Sequence, residues 1–334
     1  MKSYGWDVVQ NSHSSACLTL YSEEGNKKLI PYQGWVTGEA AKKLFDAAGV
    51  PFDASMAATK KKGFKSFPLK LKTSIASTNE IEFGESANVV GMIPGVTLKD
   101  EYIIYSAHWD HLGIGQAVAG DSIYNGAYDN ATGIAALALM GRRFASLPEQ
   151  PKRSILFLAL TAEESNLLGS QYYVENPLVS LEKTAVCLNL DCYADYMRTG
   201  DVVLSAAGQS ETDNYVIEAA ATQGGTVVIN NDNSTGWYYR SDHYNFAKMG
   251  VPIVIAKGGN KYLDPEAAQA YYEKYHKGIS NYPQPSDEYH EWWNLSGTLE
   301  DIYLFYGIGL RLANDGYFPK WYDGVEFKKL RVKK

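Results

Sequence analysis

Cysteine is scarce: Cys17, Cys187 and Cys192 are the only three in 334 residues. Three cannot build a disulfide framework, and one would be left over from any pair. Cys187 and Cys192 sit by an apolar stretch and read as buried thiols, so cysteine usage leaves the redox compartment open. Long apolar runs are missing as well. No stretch reaches the roughly 18 apolar residues of a membrane span, and the opening "MKSYGWDVVQNS" has no apolar core of a signal peptide. There is no basic excess either: 31 Lys and Arg against 38 Asp and Glu give a net charge of −7. That argues against nucleic acid as the main partner, because a phosphate-binding surface needs positive charge. The single basic run, Lys60-Lys61-Lys62 with Lys65, reads as a solvated loop. No repeat or low-complexity tract occurs. The Asn-x-Ser/Thr triplets at Asn130, Asn233 and Asn294 are common by chance.

What is present describes a folded protein. Hydrophobic residues make up 45% and charged residues 21%, and the length suits about two domains. The first 63 residues carry short strand-like pieces (16–21, 29–31) and one helical segment, 38–48. The basic, turn-rich "ATKKKGFKSFP" then marks a domain edge, placed at residues 65/66. Beyond it, "LKLKTSIAS", "ANVVGMIPG", residues 102–107, "SILFLAL", "TAVCLNL" and "VPIVIAKGG" read as strands. "TGIAALALMGRRFASL", "NLLGSQYYVEN", "ETDNYVIEAAATQGG" and "SGTLEDIYLFYGIGLRLAND" read as helices. Alternation of the two predicts an α/β domain whose central sheet is mixed but mostly parallel, flanked by helices.

Ligands of open α/β sheets bind beyond the carboxyl ends of the strands, and that is where the polar residues gather. His108, Asp110 and His111 follow the strand at 102–107; Glu163 and Glu164 follow 154–160; Asp191 follows 184–190; Asp129 precedes a helix in "GAYDNATG". Each has a plain reading alone. His108 suits a hydrogen-bonded surface group, Asp129 a helix N-cap, Glu163-Glu164 a helix N-terminus, and Asp191 a turn. Together they converge on one sheet edge, and packed carboxylates without a cation repel one another until a pKa rises sharply. A divalent metal removes that cost, and mixed carboxylate and imidazole donors suit zinc.

The segments "SAHWDHLG", "NGAYDNATGIAAL", "LTAEESNLLGS", "LNLD" and "RSDHYNFAKMGVPIVI", in this order over about residues 85–310, resemble the co-catalytic di-zinc aminopeptidases, a group that includes glutaminyl cyclases and glutamate carboxypeptidases. The resemblance implies the zinc exopeptidase fold and a peptide substrate. It implies His108 and Asp191 as ligands of a first zinc, Glu164 of a second, and Asp129 as the bridge. Asp110 would orient His108, and Glu163 would be the general base for metal-activated water. His111 matches no ligand and reads as a wall or hydrogen-bonding residue. "YGWDVVQNS", "GWVTGEAAKKLFDAAG" and "GFKSFPLKLKTSIAS" resemble the end of a protease-associated insert domain, so residues 1–65 are expected to be part of one and 66–334 the catalytic domain. Members of this type are usually exported, which implies a periplasmic or secreted full-length protein.

The sequence departs from the family at one point. A fifth ligand is expected as a His four residues before an Asp, and "YPQPSDEY" (282–289) has Pro283 there, which has no donor atom. His276 and His290 flank it and could fold in; otherwise the second metal keeps only Asp129 and Glu164. One tight zinc and a weaker second are therefore expected. Tyr282 matches a tyrosine that polarises the scissile carbonyl. The aromatic segments "GWYYR" and "HEWWN" suit a substrate pocket or ordinary packing. Two alternatives stand beside the aminopeptidase: a glutaminyl-cyclase-like enzyme, which loss of the fifth His argues against, and a catalytically impaired binding domain, which Pro283 favours and retention of Glu163 argues against.

Overall fold

A computed structural model of the chain describes residues 6, 9, 17–25, 30, 32–78, 80–191, 196–205, 207–230, 236–276 and 283–331. Tyr282, Cys192, Asn233 and most of the stretch at 29–31 lie outside them. The chain divides into two compact units, Met1–Ser14 with Tyr21–Glu85, and Ser15–Leu20 with Ser86–Lys334. Residues 66–85 group with the first unit, and "LKLKTSIAS" has the alternation of a strand but forms no ladder among the described residues. Residues 17–21 likewise form no strand.

In the first unit, α1 (Gly38–Ala47) starts at Thr37, whose hydroxyl accepts from the N–H of Ala40 at 3.1 Å. This is an N-cap that satisfies one of the free donors of the first turn. α2 (Phe52–Thr59) follows after Pro51. The rings of Phe45 and Phe52 meet edge to face at 5.2 Å.

The second unit is built on a five-stranded sheet. Its strands are β1 (Val89–Ile93), β2 (Leu98–His108), β5 (Arg153–Leu160), β6 (Thr184–Asn189) and β9 (Ile253–Val254), in the spatial order β1-β5-β2-β6-β9. Only the edge strand β1 is antiparallel, to β5; the other pairings are parallel. Central parallel strands are covered on both faces and read as continuous apolar runs, as "IIYSA" and "TAVCLN" do. Successive residues of β2 therefore serve opposite faces. Ile103 and Tyr105 pack with Ala136, Met140 and Phe144 of α3 (Thr132–Ala145) and with Leu304, Phe305 and Ile308 of the C-terminal helix. Ile104 packs with Leu156, Leu158, Tyr173 and Phe246. Gly309 in that last helix is where the Tyr105 hydroxyl lands, donating to the carbonyl of Phe305 at 2.8 Å; a Cβ at 309 would overlap the hydroxyl.

The stretch "VPIVIAKGG" does not make one strand. β9 ends at Val254, and β10 (Ala256–Gly258) pairs instead with β7 (Asp201–Ser205) in a second sheet of order β10-β7-β8, with β8 spanning Thr226–Asn230. The chain changes sheet at Ile255, whose carbonyl accepts from Ser205 N–H at 3.0 Å. β3 (Gly113–Val118) and β4 (Asp121–Tyr124) form an exposed hairpin between the first and second polar segments. The helices α4 (Leu168–Glu175), α5 (Thr212–Thr222), α6 (His243–Lys248), α7 (Pro265–Tyr275) and α8 (Ser296–Asp315) complete the unit.

Candidate metal centre

Strand register brings the site together. His108 pairs with Leu160 across β2 and β5, and Ser106 pairs with Asn189 across β2 and β6. The three strands therefore end level, and the residues just past Leu160 and Asn189 arrive beside His108. Ala162 then takes a left-handed φ of 53°, turning the chain directly after β5. Such a conformation costs a non-glycine residue free energy and is held by its surroundings. Here the holder is Asp110, whose carboxylate accepts from the N–H of Glu163 at 3.0 Å and of Glu164 at 3.2 Å. Glu163 and Glu164 thus lie in a turn rather than in the first turn of a helix, since α4 begins only at Leu168.

Asp129 comes from the segment before α3. It does not cap that helix, whose N-cap is Ala131; the Asn130 side-chain oxygen accepts from Gly133 N–H at 3.1 Å while its amide donates to the carbonyl of Leu190 at 2.9 Å. Asp129 is instead presented by Asp287, a buried carboxylate that accepts from Tyr128 N–H (2.8 Å) and Asp129 N–H (3.1 Å).

Two donor groups result, each with its ligand atoms within 4.8 Å of one another: His108, Glu163 and Asp191, and His111, Asp129 and Glu164. They adjoin through His108 Nε2, which lies 3.0 Å from Asp129 Oδ1 and 3.5 Å from Asp191 Oδ1. His108 Nδ1 is fixed by the backbone carbonyl of Asp110 at 3.0 Å; the Asp110 carboxylate is farther, at 3.7 Å. His108 Nδ1 thus faces both the main-chain carbonyl and the carboxylate of Asp110, and that carboxylate also takes the two N–H groups of the Glu163-Glu164 turn.

Electrostatics say what is missing from such a set. Burial would lower the His108 pKa, yet contacts with Asp110, Asp129 and Asp191 hold it well above the ordinary imidazole value. Glu163 is raised by burial first and by the charge of Asp191 next. Glu164 is raised by burial, opposed by its hydrogen bond to His111. Asp242, fully buried, is pushed up to about 7 by burial against the pull of His108. Among the described residues, buried His108 Nε2, His111 Nε2 and Asp129 Oδ1 have no hydrogen-bond partner beyond the close approach of His108 Nε2 to Asp129 Oδ1. Orphaned donors of this kind, among crowded carboxylates, fit divalent cations, and the N and O donor set fits zinc.

The other residues singled out in the sequence go elsewhere. Pro283 is half-buried and offers no donor. His276 and His290 do not reach either group: His290 stacks on Trp292 at 4.8 Å and 14°, and His276 meets Trp292 edge-on at 5.6 Å. Tyr275 covers Trp292 at 4.4 Å, so "HEWWN" is packed, as is Tyr238 against Phe327 at 5.7 Å. The second group, expected to hold only Asp129 and Glu164 unless one of those imidazoles folded in, includes His111, whose Nδ1 lies 2.7 Å from Glu164 Oε1.

Besides Asp287, a relay of three residues escaped the sequence reading. The Ser106 hydroxyl donates to Asn189 Oδ1 at 2.7 Å, Asn189 donates to Ser241 Oγ at 2.7 Å, and the Ser241 hydroxyl donates to Asp191 Oδ2. This buried relay fixes the Asp191 carboxylate. Its signal was legible: a serine and an asparagine inside otherwise apolar central strands must find polar partners.

Residues 88–295 match the sequence model of the family described as Peptidase family M28. Among curated proteins, the chain is 26% identical over 250 residues to aminopeptidase YwaD of Bacillus subtilis, covering 74% of this chain and 49% of that protein. It is 34% identical over 131 residues to mouse aminopeptidase NAALADL1, covering 38% of this chain and 16% of that one. The chain thus spans half or less of the length of these relatives. Among solved structures, the LapA aminopeptidase of Legionella pneumophila superposes with a TM-score of 0.51 at 19% identity, over 69% of this chain and 55% of that one, a likeness of fold.

Proposed function

This chain belongs to peptidase family M28, and from that premise we propose that it is a metal-dependent aminopeptidase that removes N-terminal residues from peptides. The observation that carries the reading is the pair of adjoining donor groups, His108-Glu163-Asp191 and His111-Asp129-Glu164, at the carboxyl ends of parallel strands. Relatives named aminopeptidase support the choice of reaction. Divalent ions held there would supply Lewis acidity, making water a nucleophile at neutral pH and polarising the scissile carbonyl.

The chain's own residues have divided tasks in this proposal. His108, Asp191, Asp129 and Glu164 hold the ions, with Asp129 between the two groups, 3.0 Å from His108. Glu163 accepts the proton of the attacking water. Its raised pKa supports that role, because a general base works best when its pKa approaches the working pH. Asp110 positions Glu163 and Glu164 through their backbone N–H groups. Tyr282 is kept as the carbonyl-polarising group on the resemblance alone. The first unit is read as part of a protease-associated domain, and the full-length protein as exported to the periplasm or medium.

The test is hydrolysis of aminoacyl-p-nitroanilides by purified protein, stripped with chelator and reloaded with zinc. Free-amino substrates should be cleaved, N-acetylated ones spared, and chelation should abolish turnover. Cyclisation of N-terminal glutamine without hydrolysis would establish the cyclase alternative. Zinc binding with neither activity would establish a binding domain.

A further inference from the structure

We propose that His111 is a protein ligand of the second metal position, supplying the imidazole that Pro283 cannot. The inference rests on the two-metal reading above and assigns a role that the family motifs do not give this residue. Three observations converge on it. First, a ring nitrogen of His111 lies within 4.8 Å of the donor atoms of both Asp129 and Glu164. Second, the ring is held there: Nδ1 lies 2.7 Å from Glu164 Oε1, and the ring sits over Gly126, where a Cβ would come within 2.7 Å of His111 Cγ. Gly126 has φ +67° and is the one residue type that provides both the turn and the space. Third, Nε2 is buried without a hydrogen-bond partner among the described residues. A buried imidazole with an unmet nitrogen beside two carboxylates is an incomplete polar cluster, and a cation completes it.

Among the described residues, the other imidazoles are committed. His108 serves the first group. His243 Nε2 lies 2.8 Å from the carbonyl of Tyr238, and burial pushes its pKa down to about 4. His276 and His290 pack on Trp292. Among the described residues, His111 alone brings an imidazole to Asp129 and Glu164. The loop bearing Pro283 still docks beside the group: Ala127 N–H donates to the carbonyl of Asp287 at 3.0 Å, and the Asn125 amide donates to that of Pro285 at 3.3 Å. The two zinc positions would then carry one imidazole each, His108 and His111. Three protein donors per position match what a catalytic zinc site retains.

Metal content tests this without reference to turnover. Stripped protein, reloaded with zinc and desalted, should retain two equivalents by elemental analysis, and His111→Ala should retain one, with the loss confined to the weaker step of a zinc titration. His276→Ala and His290→Ala should retain two. Unchanged zinc content and affinity in folded His111→Ala would overturn the proposal. Should that variant fail to fold, X-ray absorption of the zinc-loaded wild type decides: an average of one imidazole per zinc is expected, and half an imidazole per zinc would refute a role for His111. A protein that binds zinc through His111 yet cleaves no peptide would leave this inference standing and remove the peptidase reading.

Discussion

Asp287→Asn is the substitution whose effect follows most directly from the structure. The Asp287 carboxylate is buried, with both oxygens engaged, one by Tyr128 N–H at 2.8 Å and the other by Asp129 N–H at 3.1 Å. An asparagine of the same shape has one acceptor, so one of the two N–H groups must face an NH2. That loses a charge-assisted hydrogen bond and leaves a buried donor unmet, each on the order of 1–3 kcal/mol. The expected cost is about 2–4 kcal/mol of stability in the zinc-free protein, where metal cannot mask it. Relief comes only by moving the 126–130 segment, which carries Asp129 away from His108 and Glu164. Zinc affinity should therefore fall with stability, although Asp287 itself belongs to neither donor group. Urea unfolding of the apo forms gives the first quantity and zinc titration the second. A variant within 0.5 kcal/mol of wild type, with unchanged zinc affinity, would show that Asp287 does not position Asp129.

Two further perturbations probe the scaffold. Arg153 is fully buried between Glu101 (2.9 Å) and Asp315 (3.3 Å), with its guanidinium 4.6 Å from the Phe318 ring; Arg153→Ala strands two carboxylates and opens a cavity, and should cost about 3–5 kcal/mol by chemical denaturation, whereas a loss below 1 kcal/mol would refute the assignment. Burial pushes Asp301 up to about 7, against a hydrogen bond from Tyr196. The folded state therefore holds a proton that the unfolded chain releases near pH 4, so this group's contribution is full below about pH 4 and is lost as pH rises through 7. Wild-type stability measured relative to Asp301→Asn should fall between those values, by on the order of 3–4 kcal/mol; parallel pH profiles would contradict it.

The central strands were legible because burial on both faces leaves unbroken apolar runs, as in Ile103–Tyr105 and Thr184–Leu188, and the long amphipathic pattern of α8 matched its helix end to end. The edges were not. The run at 251–259 looks continuous, but the change of sheet at Ile255 depends on which neighbour each half finds, a tertiary fact absent from local pattern. β7 and β8 are only five residues each, and β8 is largely exposed, so "DVVLS" and "TVVIN" carried little periodic signal. At the site, position in the chain placed His108, Glu163, Glu164 and Asp191 together, since parallel strands must end on one side. It could not place His111. Three residues after His108 it lies beyond the strand, and only the fold-back through Gly126 and the hold of Glu164 set where its ring points. Nor could it show that the Asp110 carbonyl also meets His108, or that its carboxylate holds the turn at Glu163 and Glu164.

The claim that this chain is a metallopeptidase with Glu163 as its base meets its most direct test in Glu163→Gln, loaded with zinc beside the wild type. The glutamine keeps the size of the side chain and cannot accept the proton. Removal of a general base costs on the order of 100- to 10,000-fold. The expected result is undiminished zinc content with aminoacyl-p-nitroanilide turnover reduced by at least 100-fold. Turnover within threefold of wild type at equal zinc content would contradict the account.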